Sequence, residues 1–287
     1  MELLKNTRKE LLEICKEKNI TNNSRANKEK LMGFITGTLK PTIKGHGCSV
    51  NGKAYEDTIH SIIKNVSLLD KPFNKQTTKD LGGSSSKNDL ICWMDDKEIG
   101  IEAKKYTTPD WMQCKLEFNK DKKLFEASEK GKNSKEARNI FNKIIKDINL
   151  YNGKLPPFIG NNLTHDEWKN IKKSTKEWDD KYYDIPSDTI KKLYSAKGCY
   201  YIQISSYGLY HLGNDICNFG VPEFTINQRL RIRTKIHSSK NKNGNCSLSV
   251  TAACQPTNIK NLEKSLFSLD NKDFLPKNLF ANNNNLG

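Results

Sequence analysis

The sequence predicts a mixed α/β (α+β) fold, with a mixed sheet core flanked by helices and a small helical domain at the N-terminus. Apolar residues recur at helical spacing in "LLKNTRKELLEICKEK" and again in "SKEARNIFNKIIKDINL". The period changes to two after Gly198, where "CYYIQISS", "GLYHL" and "FTINQRLRIRTKIH" read as strands. Two further strand-like runs, "LICWM" and "IGIEAK", flank the turn "DDKE". A chain of 287 residues is long enough to bury a substantial core with these elements.

The charge balance favours a polyanionic partner. The chain carries 48 Lys and Arg against 33 Asp and Glu, a net charge of +15. Contacts with phosphate supply most of the non-specific affinity of proteins for nucleic acids, so a nucleic acid is the expected class of partner. A merely Lys-rich or ribosome-like surface is the alternative interpretation.

The cysteines and the apolar segments narrow the class of protein. None of the eight cysteines forms a CxxC pair, which argues against a zinc finger or a thioredoxin-like motif. The N-terminal residues "MELLKNTRKELLEICKEKN" carry charges throughout, unlike a signal peptide. No apolar stretch approaches the ~20 residues that span a bilayer. We therefore expect an intracellular protein that is not secreted and does not bind a membrane. Its expected location is the cytoplasm, the nucleoid or the nucleus, and its source could be viral.

The first element is a pair of short helices separated by "NITNNS", the second capped by Ser24 or Asn27. The pieces "LLEICKEKNI", "TNNSRAN" and "KEKLMGFI" resemble the SAP-type DNA-binding helix pair. This resemblance implies that Ser24, Arg25 and Lys28, at the start of the second helix, contact phosphates. A generic helical hairpin is the alternative. The Gly- and Pro-containing "GTLKPTIKGHGCSVNG" then reads as a linker.

A longer helix, "GKAYEDTIHSIIKNV", precedes the strand pair and carries Glu56 in its N-terminal part. The polar, Gly- and Ser-rich "KPFNKQTTKDLGGSSSKND" follows it, and Ser85 and Lys87 there are candidate DNA contacts. These segments lead directly into the strand-like run "LICWM".

The two strand-like runs predict an antiparallel hairpin whose faces differ in character. If Met94 pairs with Ile99, then Asp89 lies opposite Lys104. Asp89, Glu102 and Lys104 then share one face, and the other face is uniformly apolar. A register shift of one residue would move Asp89 to the apolar face.

Two carboxylates and an ammonium group on one face indicate phosphodiester chemistry. Carboxylate oxygens suit Mg²⁺ or Mn²⁺, which bridges to a substrate phosphate and activates water. A neighbouring lysine can orient or deprotonate that water, or neutralise the transition state. Glu56 is a plausible extra ligand for the metal ion. A surface hairpin with charged ends is the alternative interpretation of the same residues.

The stretch from Asn88 to Lys104, "ND", strand, turn and "EAK", resembles the PD-(D/E)XK nuclease superfamily, which includes restriction endonucleases. The resemblance covers roughly residues 54–118 and implies a restriction-endonuclease-like mixed sheet. It implies that Asp89, Glu102 and Glu56 bind the metal and that Lys104 assists the attacking water. Asn88 stands where the family pattern has proline.

The segment "TPDWMQCKLEFN" is expected to be a helix, with Thr108 as N-cap and Pro109 in the first turn. Several families of this superfamily carry a glutamine on the helix after the lysine strand, so the resemblance implies a catalytic role for Gln113. A solvent-exposed glutamine on a helix surface is the alternative.

The later part of the chain divides into a Lys-rich helical insertion, about 120–197, and a β-rich part, 198–256. Thr164 and Glu167 form a capping-box pattern in the insertion. In "RLRIRTK", the basic residues alternate with apolar or neutral ones and form one strand face: Arg229, Arg231, Arg233 and Lys235. That face is suited to a phosphate backbone. Charged protection of an edge strand is the alternative.

The sequence therefore predicts a divalent-metal-dependent DNA endonuclease of the restriction or repair type. The alternatives are a non-catalytic DNA-binding or architectural protein with the same fold, and an RNA-directed nuclease. The expected domains are a SAP-like unit at 1–38, a linker at 39–53, a nuclease domain at 54–280 and a disordered tail at 281–287. Cutting both strands with one active site per chain favours a homodimer, although no interface can be read from the sequence.

Overall fold

The computed structural model confirms the mixed α/β class, with sheets and helices packed in layers. It describes residues 2–20, 26–39, 46–63, 67–68, 71–72, 74–75, 88–94, 97–157, 159, 163–240 and 246–276. The chain divides into two compact units, Met1–Ala54 and Tyr55–Gly287. No helix among these residues is long and apolar enough to cross a membrane.

The first unit contains two short helices, α1 (Arg8–Glu17) and α2 (Lys28–Thr36). Leu11, Cys15 and Leu31 are fully buried between them. Asn27 caps α2, because its side chain accepts a hydrogen bond from the backbone N–H of Lys30 at 2.9 Å. The spacing of apolar residues and the capping residue predicted this pair.

The third helix, α3 (His46–Ile63), begins in the first unit and continues into the second. Its first turns lie inside the segment 39–53 that was predicted to be a linker, so that prediction was wrong from His46 onward. Glycine did not stop the helix at Gly52, because a glycine within a helix is unfavourable by only about 1 kcal/mol. Tyr55, Ile59 and Ile63 are the buried residues on the face that packs in the second unit.

Among its described residues, the second unit holds three further helices, two five-stranded sheets and one two-stranded sheet. The helices are α4 (Lys135–Asp147), α5 (His165–Ser174) and α6 (Thr189–Ser195). The strands are β1 (Ser67–Leu68), β2 (Lys71–Pro72), β3 (Asn74–Lys75), β4 (Leu90–Met94), β5 (Lys97–Lys104), β6 (Met112–Asn119), β7 (Leu124–Ala127), β8 (Lys181–Ile185), β9 (Cys199–Ile204), β10 (Gly208–His211), β11 (Gln228–Lys240) and β12 (Cys246–Pro256). Short 3-10 turns lie at Glu2–Lys5, Leu150–Gly153, Ile259–Asn261 and Lys272–Phe274.

Sheet 1 has the strand order β10-β9-β5-β4-β3, and sheet 2 has the order β7-β6-β12-β11-β8. β5 and β9 pair in parallel, and the other pairs within these two sheets are antiparallel. The larger apolar core contains Ile202 and Ile204 of sheet 1, Leu230 and Val250 of sheet 2, and residues of α4 and α6. A smaller core lies on the other face of sheet 1, against α3.

The segment after the hairpin is a strand rather than the predicted helix. Met112, Cys114 and Leu116 of β6 are buried, and the polar residues between them are more exposed. Thr108 does not cap a helix, and its carbonyl accepts a hydrogen bond from Trp111 Nε1 at 2.8 Å. The alternation of apolar and polar residues in "MQCKLE" indicates a strand. The prediction of a helix instead followed the capping pattern of Thr108 and Pro109.

The segment 120–197 is not purely helical, because it contributes β7 and β8 to the two ends of sheet 2. The capping box of α5 is present as predicted, with the Glu167 N–H donating to Thr164 Oγ1 at 3.2 Å and the Thr164 N–H donating to Glu167 Oε2 at 2.7 Å. Strands β9 to β12 lie where the period-two pattern placed them. The predicted tail, 281–287, lies outside the described residues.

Candidate active site

The site is built on the hairpin of β4 and β5, whose register differs from the prediction by two residues. Leu90 pairs with Ile101, and Cys92 pairs with Ile99. A shift of two residues preserves the alternation of faces, so the apolar residues of the pair still share one face. Asp89, immediately before β4, therefore stays on the same side as Glu102 and Lys104.

Asp89 is held against the end of β5 by hydrogen bonds. Its Oδ2 accepts from the backbone N–H of Ala103 at 2.9 Å and lies 3.5 Å from Lys104 Nζ. The side chains of Asp89 and Lys104 are each 17% exposed, so this part of the cluster reaches solvent. The structure thus brings the predicted carboxylate and ammonium groups together.

Glu102 lies deeper and contacts two lysines. Its Oε1 contacts Lys104 Nζ, and its Oε2 lies 2.6 Å from Lys197 Nζ. The side chains of Glu102 and Lys197 are each only 4% exposed. Both ammonium groups lie over the ring of Tyr194 on α6, at 5.9 Å for Lys104 and 5.2 Å for Lys197.

Residues of β9 cover the face of the hairpin that carries Glu102. The sequence of the hairpin alone did not indicate this covering. A bulge in the pairing of β5 with β9 places Cys199 and Ile202 on this face, although Tyr201 faces the other core. The Cys199 thiol donates to Asn88 Oδ1 at 2.8 Å, and its sulfur lies 3.8 Å from Glu102 Oε2. Asn88, where the family pattern has proline, is therefore part of the buried wall of the cluster.

The pKa values of the two carboxylates are displaced in opposite directions. Burial and the charge of Glu102 raise the pKa of Asp89, although Lys104 and Lys197 oppose this. Burial alone would also raise the pKa of Glu102, but the two lysines lower it to about 2. Glu102 is therefore ionised throughout the ordinary pH range, and Asp89 takes up a proton more readily.

Lys104 is a charged group in this arrangement. Burial alone would lower the pKa of its ammonium, but Asp89 and Glu102 raise it well above its ordinary value. A lysine in this state can orient a water molecule or neutralise a phosphate, but it is a poor general base. The electrostatic roles of Lys104 stay a prediction.

Glu56 and Gln113 lie on other elements. Glu56 is half-buried on α3, and the buried face of that helix packs against the apolar side of the hairpin, opposite Glu102. Its role as an extra metal ligand stays a prediction. Gln113 lies in β6 of sheet 2 with an exposed side chain, so the helix that the resemblance assigned to it is absent.

Lys197 is the group that sequence reasoning missed. It follows α6 and precedes β9, 93 residues after Lys104 in the chain numbering. Only the parallel pairing of β5 with β9 brings it beside Glu102, and a single sequence does not reveal which strands pair in parallel. Cys199 was missed for the same reason.

The predicted DNA-binding residues of β11 have partners within the protein. Arg231 donates to Asp180 through Nε at 3.0 Å, and Asp110 lies within 3.5 Å of both Arg231 and Arg233. The Arg229 guanidinium lies 4.4 Å from the ring of Tyr182. Acidic residues distant in sequence therefore offset part of the charge of this strand, although the arginines remain on its outer face.

Of the other predicted DNA-binding residues, two lie in the described part of the chain. Lys28 is exposed at the first position of α2, and Lys235 lies in β11. Ser24, Arg25, Ser85 and Lys87 lie outside the described residues.

The donor set fits a hard divalent cation. Within the described part of the chain, no group of three or more His, Cys, Asp and Glu side chains could hold a metal ion. Mg²⁺ commonly takes one or two carboxylates and completes its shell with water and substrate phosphates. Asp89 and Glu102 supply two carboxylates, and a metal ion held by them stays a prediction.

Comparison with known proteins yields limited similarity. No protein-family model matches this chain, and no curated protein matches it. Among solved structures, the chain is similar to HhaI endonuclease in complex with DNA, with 12% identity and a TM-score of 0.36. The match covers 72% of this chain and 91% of the other.

Proposed function

We propose that this chain is a divalent-metal-dependent DNA endonuclease of the restriction or repair type. The observation that supports it best is the cluster of Asp89, Glu102 and Lys104 at the end of one hairpin. The net charge of +15 supports a DNA substrate.

The residues have distinct roles in this proposal. Asp89 and Glu102 would hold Mg²⁺ or Mn²⁺, and when bound this ion would supply water activation and offset negative charge at phosphorus. The backbone N–H of Ala103 fixes the orientation of Asp89. The Lys104 ammonium, between the two carboxylates, orients the attacking water and offsets the charge of the phosphate.

Substrate binding is proposed to extend beyond the cluster. Arg229, Arg231, Arg233 and Lys235 on β11, with Ser85 and Lys87, are proposed to follow the phosphate backbone. The helix pair at 1–38, through Ser24, Arg25 and Lys28, is proposed as a second DNA contact. A homodimer stays a prediction.

Incubation of the purified chain with plasmid DNA and Mg²⁺ or Mn²⁺ tests the activity. We expect cleavage that falls at least roughly a hundredfold in Asp89→Asn and Lys104→Ala. Asn at position 89 removes the charge but can still accept the Ala103 hydrogen bond, so the fold is expected to survive. Lys105→Ala, which changes the next lysine, is the matched control. Undiminished cleavage in Asp89→Asn or Lys104→Ala would show that the site lies elsewhere.

A non-catalytic DNA-binding protein is the second candidate, because two lysines neutralise the two carboxylates without a metal. In that case DNA binding falls with salt and no cut products appear with either cation. Matched RNA substrates in the same assay distinguish a nuclease directed at RNA.

A further inference from the structure

Lys197 is a buried basic residue that lies against the candidate active site. Its Nζ is 2.6 Å from Glu102 Oε2, and its side chain is 4% exposed. The Tyr194 ring lies beneath the ammonium at 5.2 Å. Lys197 therefore contacts the carboxylate that is proposed to bind metal.

The backbone holds Lys197 in place. Its N–H donates to the Tyr194 carbonyl at 3.0 Å, and the next residue, Gly198, has a φ of +82°. The Gly198 carbonyl accepts from the Gly100 N–H on β5 at 3.1 Å. The turn before β9 is thereby fixed against the strand that carries Glu102, which makes the lysine a preorganised partner.

The two lysines contact different oxygens of Glu102. Lys104 contacts Oε1 on the side where Asp89 is partly exposed, whereas Lys197 contacts Oε2 on the sealed side. Lys197 therefore contacts Glu102 on the side away from the partly exposed Asp89 and Lys104.

The formal charges of the cluster cancel, because Asp89 and Glu102 are balanced by Lys104 and Lys197. A divalent cation entering a neutral, partly buried site meets two ammonium groups at short range, where charge interactions are strong. A bound phosphodiester adds the negative charge that the cluster lacks.

We propose that Lys197 is a positioning residue that holds Glu102 and cancels its charge, so that the site binds a divalent cation tightly only together with a DNA phosphate. The inference rests on the proposed function and adds a dependence of metal binding on DNA.

Mn²⁺ binding to the full chain without DNA, measured by electron paramagnetic resonance, tests the role of Lys197. We expect Lys197→Met to bind Mn²⁺ at least roughly tenfold more tightly than the wild-type chain, because one repelling charge is removed. Lys192→Met, an exposed lysine of α6, is the matched control and is expected to leave the affinity unchanged. Unchanged or weaker binding in Lys197→Met would overturn the proposal.

A second measurement on the unmodified chain avoids any folding defect of the variant. Mn²⁺ affinity is compared with and without duplex DNA, and the Asp89→Asn chain with DNA serves as the blank. We expect at least a tenfold rise in affinity on addition of DNA, and equal affinities would overturn the proposal. If the wild-type chain cleaves the plasmid but Lys197→Met binds Mn²⁺ no more tightly than the wild type, this inference alone is overturned. If the wild-type chain does not cleave the plasmid, the proposed function is overturned.

Discussion

Glu102 determines the charge balance of the cluster, because it is the common partner of both buried lysines. Its side chain is 4% exposed, and each of its oxygens contacts one ammonium group. Removing one member of a buried ion pair leaves an uncompensated charge, which typically costs about 3–5 kcal/mol.

We therefore expect Glu102→Gln to lower the free energy of unfolding by about 3 kcal/mol at pH 7. Urea denaturation followed by circular dichroism measures the change. Glu98→Gln, an exposed glutamate of the same strand, is the control and is expected to have little effect. A loss below about 1 kcal/mol in Glu102→Gln would contradict the buried ion pairs.

The ionisation of Glu102 also makes the stability of the protein depend on pH in a definite direction. The pKa of Glu102 is lowered to about 2 from an ordinary 4.5, so its contribution to stability is complete above pH 4.5 and is lost as the pH falls toward 2. Asp89, whose pKa is raised, acts in the opposite direction. The comparison is therefore made between Asp89→Asn and Asp89→Asn/Glu102→Gln, and their difference in stability is expected to shrink between pH 4.5 and pH 2.

Gly100 is a second residue on which the site depends, for reasons of space. A Cβ there would lie 2.5 Å from the Gly198 carbonyl oxygen and closer still to Asn88 Nδ2. Because the carbonyl belongs to a fixed turn, the clash cannot be relieved by rotating a side chain.

We expect Gly100→Ala to lower the unfolding free energy by about 1–3 kcal/mol and to weaken cleavage, since Asn88 adjoins Asp89. Thermal and urea unfolding measure the first effect, and the plasmid assay measures the second. Gly52→Ala on α3, where a Cβ meets nothing within 4 Å, is the control and is expected to be neutral or stabilising. Equal behaviour of the two variants would contradict the close approach of Gly100 and Gly198.

At the scale of elements, the face of β11 that is proposed to bind DNA also makes contacts within the protein. Arg231 donates a hydrogen bond to Asp180 and approaches Asp110, whereas Arg233 has Asp110, at 3.4 Å, as its acidic partner among the described residues. Within the described residues, the buried Nε of Arg233 has no hydrogen-bond partner. The two arginines are therefore expected to differ when they are replaced.

We expect Arg231→Gln to lower stability by about 1 kcal/mol, since its ion pairs are partly exposed. Arg233→Gln is expected to weaken DNA binding and to reduce the slope of log affinity against log salt by about 1. Fluorescence anisotropy with a labelled duplex measures the slope, and Arg138→Gln on α4 serves as the control. An unchanged slope in Arg233→Gln would assign β11 to the fold alone.

For the whole molecule, the net charge of +15 is the property that would govern the proposed association with DNA. Residues 1–45 carry ten basic and five acidic side chains, a third of that net charge. If the N-terminal helix pair contacts phosphates, its basic residues at the start of α2 contribute to the salt dependence of the whole chain.

We expect the affinity of the wild-type chain for duplex DNA to fall steeply with salt, by ~10³–10⁵ between 50 and 200 mM if six to ten phosphates are contacted. Arg25→Ala/Lys28→Ala is expected to reduce the slope, and Lys9→Ala/Lys16→Ala on α1 leaves it nearly unchanged. The measurement is anisotropy over a salt series. Identical slopes for both pairs would show that the start of α2 does not contact DNA.

Much of the fold could be predicted because its signals are local. The apolar spacing of α1, α2 and α4, the caps Asn27 and Thr164, and the alternation in β9 to β12 each depend on neighbouring residues. The prediction for 108–119 was wrong because a helix-start pattern was preferred to the period of two in β6.

The sequence alone determined that Asp89, Glu102 and Lys104 share one face, since alternation along a strand survives the two-residue difference in register. Only the tertiary structure decided how deeply that face is buried and which groups cover it. The parallel pairing of β5 with β9 brings Lys197 and Cys199 to Glu102, and α6 places Tyr194 beneath both lysines. The physical reason is that a side chain's face depends on local geometry, whereas its partners across a sheet depend on contacts between residues far apart in the chain.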